Sequence, residues 1–318
     1  MAVYTTVERE QLEEFLSHYD LGTLVSFEGI LSGVVNTNYF VTTERGEYVL
    51  TLFETLGWEE LPWFLEVMAY LTQRGMPGAE PFADETGSYL RELNGLPATL
   101  VRRLHGRSVE TPNAAQVESV GAALATMHVA GREFPEPFPN PYGVEWFKPM
   151  SERIMEHLTP EKQTLLQEEV EFQTTLDRGV LPEGIVHTDL FRDNVLLDGD
   201  AVSGLIDFYF ACHDSLLFDV AVTLNDWCRL SDSTLDWELS QRFLNAYRSV
   251  REPEAAELTL WPEMLRAAAL RFWLSRLRDA IFPKPGALTK IHDPAEFYRL
   301  LKYLKEQGER LHQLWNIP

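Results

Sequence analysis

The 318-residue sequence predicts an α+β protein with two lobes. Short runs rich in β-branched and aromatic residues, separated by glycine-containing turns, are concentrated in the first third of the chain. Long segments with apolar residues at helical spacing make up most of the remainder. We therefore expect a small antiparallel β-rich lobe over residues 1–103 and a larger, mainly helical lobe over residues 104–318. A chain organised in this way commonly binds its ligand between the lobes.

The first lobe is predicted to contain a helix, a three-strand meander and a second helix. Thr5 and Glu8 have the spacing of an N-terminal capping box, which precedes a helical pattern over residues 10–18. Pro62 marks the start of the second helix and Gly75 its end. Strands are predicted over 25–30, 38–43 and 48–53, with two shorter strands at 89–90 and 98–101.

The second lobe is predicted to be helical except for three short apolar runs and a proline-rich stretch. The runs cover 184–186, 195–197 and 202–206, and their length and composition predict strands. Helices are predicted over 113–130, 151–177, 216–229, 237–250, 261–281 and 296–314.

Composition and charge exclude several classes of protein. The chain has 45% hydrophobic residues, which is ordinary for a globular protein, and a net charge of −22. So acidic a surface disfavours nucleic acid and anionic membranes as partners. Two cysteines, Cys212 and Cys228, indicate no disulfide framework and favour a cytoplasmic protein. No secretory signal or membrane-spanning run is predicted. The sequence leaves the oligomeric state open between a monomer and a homodimer.

One segment has the composition of a phosphoryl-transfer site. His187, Asp189 and Asn194 form the pattern H-x-D-x₄-N, and Asp207 follows the next apolar strand. Transfer from ATP needs a carboxylate that orients the acceptor hydroxyl and takes its proton, together with hard oxygen ligands for Mg²⁺. Asp189 suits the first role, and Asn194 and Asp207 suit the second. His187 is better suited to bracing the loop through backbone hydrogen bonds than to chemistry. The alternative, a set of solvated loop residues, does not account for the complete pattern between apolar strands.

Longer strings resemble a known family. The motif is similar to that of the protein-kinase-like fold, in its aminoglycoside phosphotransferase and choline kinase branch. Within that branch the chain resembles the bacterial homoserine kinases over nearly its whole length. The strings that carry this resemblance are HTDLFRDNVLL at 187–197, GLIDFYFAC at 204–212, NDWC at 225–228, RAAALRFWLSRL at 266–277, and shorter strings at 28–41 and 48–54.

The resemblance implies an ATP site in the first lobe. The loop between the first two strands would lie over the phosphates, and backbone groups near residues 101–103 would bind adenine. The family's third strand should carry a lysine for the phosphates, but this sequence has threonine there, which leaves open the cation that meets the phosphates besides Mg²⁺. The implied nucleotide-binding residues are Ser32, Gly33, Asn36, Thr51, Val101 and Arg103.

The resemblance also implies L-homoserine as the acceptor, whose ammonium and carboxylate require an acid and a guanidinium. Asp226 is the candidate for the ammonium. Arg271, between apolar neighbours, is the candidate for the carboxylate, and Arg192 could contact either the carboxylate or a phosphate. Asp219 is expected to tie the catalytic loop by hydrogen bonds.

Two other interpretations stay open at this point. A choline, ethanolamine or aminoglycoside kinase would keep the fold and the catalytic residues and would change the acceptor pocket. A nucleotide-binding scaffold without activity would explain the missing lysine, but it would not need Asp189, Asn194 and Asp207 together.

Overall fold

A computed structural model describes residues 4–30, 35–283 and 292–315. These residues form two compact units, one containing 4–105 and 203–209 and the other 106–202, 210–283 and 292–315. The α+β prediction is confirmed. The short segment 203–209 carries Asp207, so this predicted metal ligand groups with the first unit although it lies far along the chain.

The first unit contains one antiparallel sheet of five strands in the order β1-β2-β3-β5-β4. Alternate residues of the second strand are buried, which is the pattern of a strand with one face on the core. The strands are β1 (Leu24–Gly29), β2 (Thr37–Thr43), β3 (Gly46–Leu52), β4 (Arg91–Leu93) and β5 (Leu96–Arg102). The helices are α1 (Arg9–Leu16) and α2 (Leu61–Gln73).

The core of the first unit contains side chains from α1 and the sheet. Leu12 and Phe15 of α1 belong to the same buried cluster as Val41 of β2 and Leu50 of β3. The fourth strand was predicted at 89–90 and instead begins at Arg91. Its hairpin turn to β5 is Asn94-Gly95, in which both residues have positive φ, as a tight two-residue turn requires.

The second unit contains eight helices and three short strands within its described residues, and a fourth strand begins there. The helices are α3 (Ala114–Gly131), α4 (Val144–Ile154), α5 (Pro160–Thr175), α6 (Leu216–Trp227), α7 (Trp237–Val250), α8 (Ala255–Thr259), α9 (Trp261–Ile281) and α10 (Pro294–Gln307). The strands are β6 (Glu183–Val186), β7 (Val195–Asp198), β8 (Ala201–Leu205) and β9 (Cys212–Ser215). β6 pairs with β9, and β7 with β8.

Two predicted helices were too long. The segment 151–177 is divided between α4 and α5, because the chain makes a 3₁₀ turn over Met155–His157 and Pro160 then begins a new helix. The segment 296–314 ends its α-helix at Gln307, because Gly308 has a φ of 49° and the chain continues as a 3₁₀ helix. Proline and glycine therefore set both breaks.

Helices α4, α5, α6, α8 and α10 pack against α9, which is buried on nearly every face. In the parts of the chain that the structure describes, no helix is both long and apolar enough to cross a membrane.

Helices α3 and α7 approach each other closely at Gly121. A Cβ atom at this position would lie 2.4 Å from the carbonyl oxygen of Phe243, and backbone cannot move aside as a flexible side chain can. The contact matters for the site below, since His128 lies two turns along α3 from Gly121 and Tyr247 lies one turn along α7 from Phe243.

We expect the substitution Gly121→Ala to lower the free energy of unfolding by about 1–3 kcal/mol, because α3 and α7 must separate to admit the methyl group. Urea denaturation followed by circular dichroism measures this change. Gly57→Ala is the matched control, since nothing lies within 4 Å of a Cβ at Gly57. Equal stability of the two variants would contradict the close helix contact.

Candidate active site

The predicted catalytic loop lies between β6 and β7 and is held by hydrogen bonds among its own residues. The carbonyl oxygen of Asp189 accepts hydrogen bonds from the backbone N–H of Phe191 at 2.8 Å and from Asn194 Nδ2 at 2.8 Å. The backbone N–H of Asp189 donates to His187 Nδ1 at 3.3 Å. The carboxylate of Asp189 stays 23% exposed, so the loop is fixed while this group can still meet a substrate.

Asp219, in the first turn of α6, holds the residues that precede Asp189. Its carboxylate accepts the backbone N–H groups of His187 and Thr188, each at 2.7 Å. Burial alone would raise the pKa of Asp219, but hydrogen bonds from His128 and from the loop backbone outweigh it, and the pKa lies below its usual value. Asp219 therefore acts as a buried anion that binds the loop.

Thr188 shows why the loop needs this support. It has a φ of 59°, a left-handed conformation that is strained for a β-branched residue. Its backbone donates to Asp219, and its hydroxyl donates to the carbonyl oxygen of Phe210 at 2.9 Å. A strained conformation of this kind persists only where the surrounding contacts hold it in place. The conformation of Thr188 turns the chain after β6 and so sets the direction of the following residue, Asp189.

The two predicted metal ligands lie in different units. Asn194 donates through Nδ2 to Asp189, and in the described part of the chain no hydrogen bond reaches its Oδ1. Asp207 follows β8 in the first unit and has a φ of 64°, again strained for a residue other than glycine. The amide oxygen and the carboxylate are both hard donors of the type that Mg²⁺ prefers.

The predicted nucleotide residues belong to the first unit. Ser32 and Gly33 fall outside the described residues. Thr51 lies on β3 and donates its hydroxyl to Asn38 Oδ1 at 2.7 Å. Asn36 accepts the backbone N–H of Glu54 at 3.4 Å.

The segment predicted to bind adenine ends β5. Val101 is buried in this strand. The backbone N–H of Arg103 donates to the carbonyl oxygen of Glu47, and its guanidinium lies over the ring of Phe40 at 4.0 Å. The backbone N–H and the guanidinium of Arg103 therefore both have partners within the sheet.

Two residues predicted to bind the acceptor, Asp226 and Arg192, contact each other. Asp226, at the end of α6, accepts the backbone N–H of Arg192 at 3.0 Å, and the guanidinium of Arg192 donates to the carbonyl oxygen of Asp226. Arg229 lies 3.6 Å from the other carboxylate oxygen. This arrangement favours a structural role for the pair, in which Asp226 anchors the far end of the catalytic loop.

Arg271 differs from the other arginines of its helix. Arg266 pairs with Glu169 at 2.5 Å, and Arg276 pairs with Glu296 at 2.6 Å. Arg271 is 5% exposed, and the nearest acid in the described residues is Asp189, whose carboxylate lies 4.0 Å from its Nη1.

The surroundings of the Arg271 guanidinium are mainly aromatic. Its central carbon lies 3.9 Å from the ring centre of Phe272, 5.2 Å from that of Tyr142 and 6.0 Å from that of Phe210. Among the described residues its Nε has no hydrogen-bond partner. Burial lowers the pKa of this guanidinium, and Asp189 opposes that effect. A buried guanidinium with unused donors is a site for an anion.

Three residues of this site were not predicted from the sequence. Tyr142 and Phe210 supply rings around Arg271, and His128 contacts Asp219. Tyr142 ends the proline-rich stretch and Phe210 lies three residues after Asp207, so their aromatic character was visible in the sequence but their positions around Arg271 were not.

The chain is similar in sequence to known phosphotransferases. Residues 26–253 match the phosphotransferase enzyme family. The chain belongs to that family. Over 315 residues it is 48% identical to a homoserine kinase of Methylobacillus flagellatus, with 99% of each chain covered. It is 44% identical to a homoserine kinase of Neisseria meningitidis serogroup B, covering 95% of this chain and 99% of the relative. The resemblance seen in the sequence strings is therefore confirmed.

The fold is also similar to that of a solved phosphotransferase. An amicoumacin kinase in complex with AMP-PNP superimposes with a TM-score of 0.67 at 18% identity, covering 97% of each chain. At this identity the likeness concerns the fold. The carboxylate of Asp189 in the loop and the guanidinium of Arg271 on α9 lie close enough for one small molecule to contact both.

Proposed function

We propose that this phosphotransferase transfers the γ-phosphoryl group of ATP to the hydroxyl of L-homoserine, giving ADP and O-phospho-L-homoserine. The observation that carries the proposal is the buried guanidinium of Arg271, 4.0 Å from the carboxylate of Asp189. The hydroxyl and carboxylate of homoserine are separated by only three carbon atoms, so one molecule can contact a base and an arginine that are close neighbours. The names of the relatives at 44–48% identity support the same acceptor.

Asp189 takes the central chemical role. Its carboxylate accepts the hydrogen bond of the acceptor hydroxyl and receives the proton as the new O–P bond forms. The bond between the γ-phosphorus and the bridging oxygen breaks in the same step, and its electron pair leaves with ADP. Alignment of this kind, and not covalent participation, is the main contribution of a protein to phosphoryl transfer.

Asn194 and Asp207 would hold Mg²⁺. The Oδ1 of Asn194, which accepts no hydrogen bond from the residues that the structure describes, fits this role, because its Nδ2 is committed to the loop. When bound, the ion neutralises negative charge on the phosphates. Asn36, Thr51, Val101 and Arg103 remain the proposed nucleotide residues, within a nucleotide-binding lobe over 1–103 and an acceptor lobe over 104–318. The cytoplasmic location and the homodimer remain predictions.

Choline and ethanolamine are disfavoured as acceptors by the same site. Their cationic groups require an aromatic or acidic pocket. Here the aromatic rings of Tyr142, Phe210 and Phe272 already surround the guanidinium of Arg271, which repels a second cation. An acceptor with a carboxylate accounts for the guanidinium, and a cationic acceptor does not.

A coupled assay of ADP release tests the proposal. The acceptor panel contains L-homoserine, L-serine, choline, ethanolamine and kanamycin, each with Mg²⁺ and ATP. We expect kcat/KM for L-homoserine to exceed that for every other member by at least about tenfold. Choline, ethanolamine and kanamycin lack the carboxylate that Arg271 would bind, and L-serine has one methylene fewer between its hydroxyl and its carboxylate. If choline or kanamycin were the preferred substrate, the protein would still be a kinase, but L-homoserine would not be its acceptor.

A further inference from the structure

A buried chain of hydrogen bonds leads away from the catalytic loop through three helices. His128 of α3 contacts Asp219 Oδ2 through Nε2 at 3.1 Å and the Tyr247 hydroxyl through Nδ1 at 2.8 Å. Arg251, at the end of α7, donates from Nη1 to that hydroxyl at 3.0 Å. We call Arg251, Tyr247, His128 and Asp219 the relay. Three of its members, all but Arg251, are completely buried.

One arrangement of protons satisfies every donor and acceptor of the relay. Arg251 can only donate, so the oxygen of Tyr247 accepts from it. The hydrogen of Tyr247 then points to His128 Nδ1, which must be an acceptor without a proton. Since Asp219 only accepts, His128 Nε2 must carry the proton. The contacts therefore specify the neutral Nε2–H tautomer of His128, because a proton on Nδ1 would leave the Tyr247 hydrogen without an acceptor among the described relay contacts.

The far end of the relay is fixed by a second buried acid. Glu257, in the first turn of α8, accepts both terminal nitrogens of Arg251 at 2.9 Å. Its side chain is 1% exposed and also accepts the backbone N–H of Glu254. Because Glu257 orients the guanidinium, Arg251 presents its donor to Tyr247 in one direction only.

We infer that the relay is a positioning device for phosphoryl transfer, in which neutral His128 acts through Asp219 to hold the strained turn before Asp189. The inference rests on the proposed role of Asp189 as the base. Asp219 shares its Oδ2 atom between His128 and the backbone N–H of His187, and its Oδ1 atom binds Thr188. The hydrogen bond from His128 Nε2 therefore fixes the orientation of the Asp219 carboxylate. That carboxylate in turn fixes the backbone of His187 and Thr188, which precede Asp189.

Two substitutions of His128 distinguish the effect of losing the Nε2 hydrogen-bond donor from the effect of losing the imidazole ring. Glutamine places an amide nitrogen near the position of the imidazole Nε2 and keeps the donor to Asp219. Asparagine places its amide near the position of Nδ1 and loses that donor. We expect His128→Asn to lower kcat about tenfold to a hundredfold with KM for ATP unchanged, and His128→Gln to retain most of kcat.

Equal losses of kcat in the two variants, or no loss in either, would overturn the inference. A merely structural effect would appear as equal losses accompanied by lower thermal stability. Tyr247→Phe provides a second test at the next member of the relay, since it removes one hydroxyl and keeps the ring that packs edge-on against His128. It should also lower kcat without changing KM for ATP, and a wild-type kcat would count against the relay.

The tautomer can be measured without any substitution or substrate. NMR of the full chain labelled with ¹⁵N-histidine, with the His128 signal assigned by its loss in His128→Gln, should show a neutral ring protonated at Nε2. A ring protonated at Nδ1, or at both nitrogens, would overturn the inference. Because this readout does not depend on activity, it distinguishes failure of the relay from failure of the proposed acceptor.

Discussion

Replacing Asp189 with asparagine is expected to lower kcat by about 10²–10⁴-fold, while KM for ATP stays near that of the wild type. The amide cannot take the proton of the acceptor hydroxyl. The loop should keep its shape, because Phe191 and Asn194 bind the backbone carbonyl of Asp189 and not mainly its side chain. Steady-state kinetics with the coupled assay, together with circular dichroism, measure both effects.

Asp193→Asn is the matched control for that substitution. Asp193 lies in the same loop, is exposed and carries the same charge. Its substitution makes an identical change of charge and shape four residues away, so it should leave kcat within about twofold of the wild type, as for other exposed positions. A kcat for Asp189→Asn as high as that of the control would show that Asp189 is not the base.

Replacing Arg271 with methionine should abolish recognition of the carboxylate. We expect kcat/KM for L-homoserine to fall about 10–150-fold, the effect of one lost charged hydrogen bond. For 3-amino-1-propanol, which is homoserine without its carboxylate, kcat/KM should stay constant, because this molecule has no anion for Arg271 to bind. The comparison of the two substrates removes any general effect of the variant on the catalytic loop.

Two further variants separate charge from geometry. Arg271→Lys keeps a positive charge and loses the planar pair of donors, so it should be intermediate between wild type and Arg271→Met. Arg278→Gln removes another arginine of α9 near Tyr142, whose guanidinium pairs with Asp279 at 2.8 Å, and should preserve the substrate preference. If Arg271→Met slows both substrates equally, Arg271 supports Asp189 and does not bind the acceptor.

Much of the catalytic loop could be predicted because its function depends on local spacing. Asp189 and Asn194 are five residues apart, and their contacts lie within the loop itself. The sheet was predictable for the same reason, since alternation and turn residues are local signals. The dipeptide Asn94-Gly95 is itself a sequence signal for a two-residue hairpin turn, and it predicts a strand that ends just before it, where β4 lies.

The rest of the site depends on contacts between distant parts of the chain. His128 meets Asp219 across 91 residues, and no local pattern distinguishes it from any other histidine of an apolar helix. Likewise Asp226 and Arg192 were each recognised as charged groups near the site, but their pairing with one another required the tertiary fold. Burial identified Arg271 among its neighbours, because the structure gives partners to Arg266 and Arg276 and leaves Arg271 beside Asp189.

The most direct test of the account compares L-homoserine with 3-amino-1-propanol as acceptors for the wild-type protein. If the guanidinium beside Asp189 binds a substrate carboxylate, kcat/KM for L-homoserine should be higher by about a hundredfold. Equal values of kcat/KM for the two acceptors would contradict the central claim, because they would show that the carboxylate is not recognised.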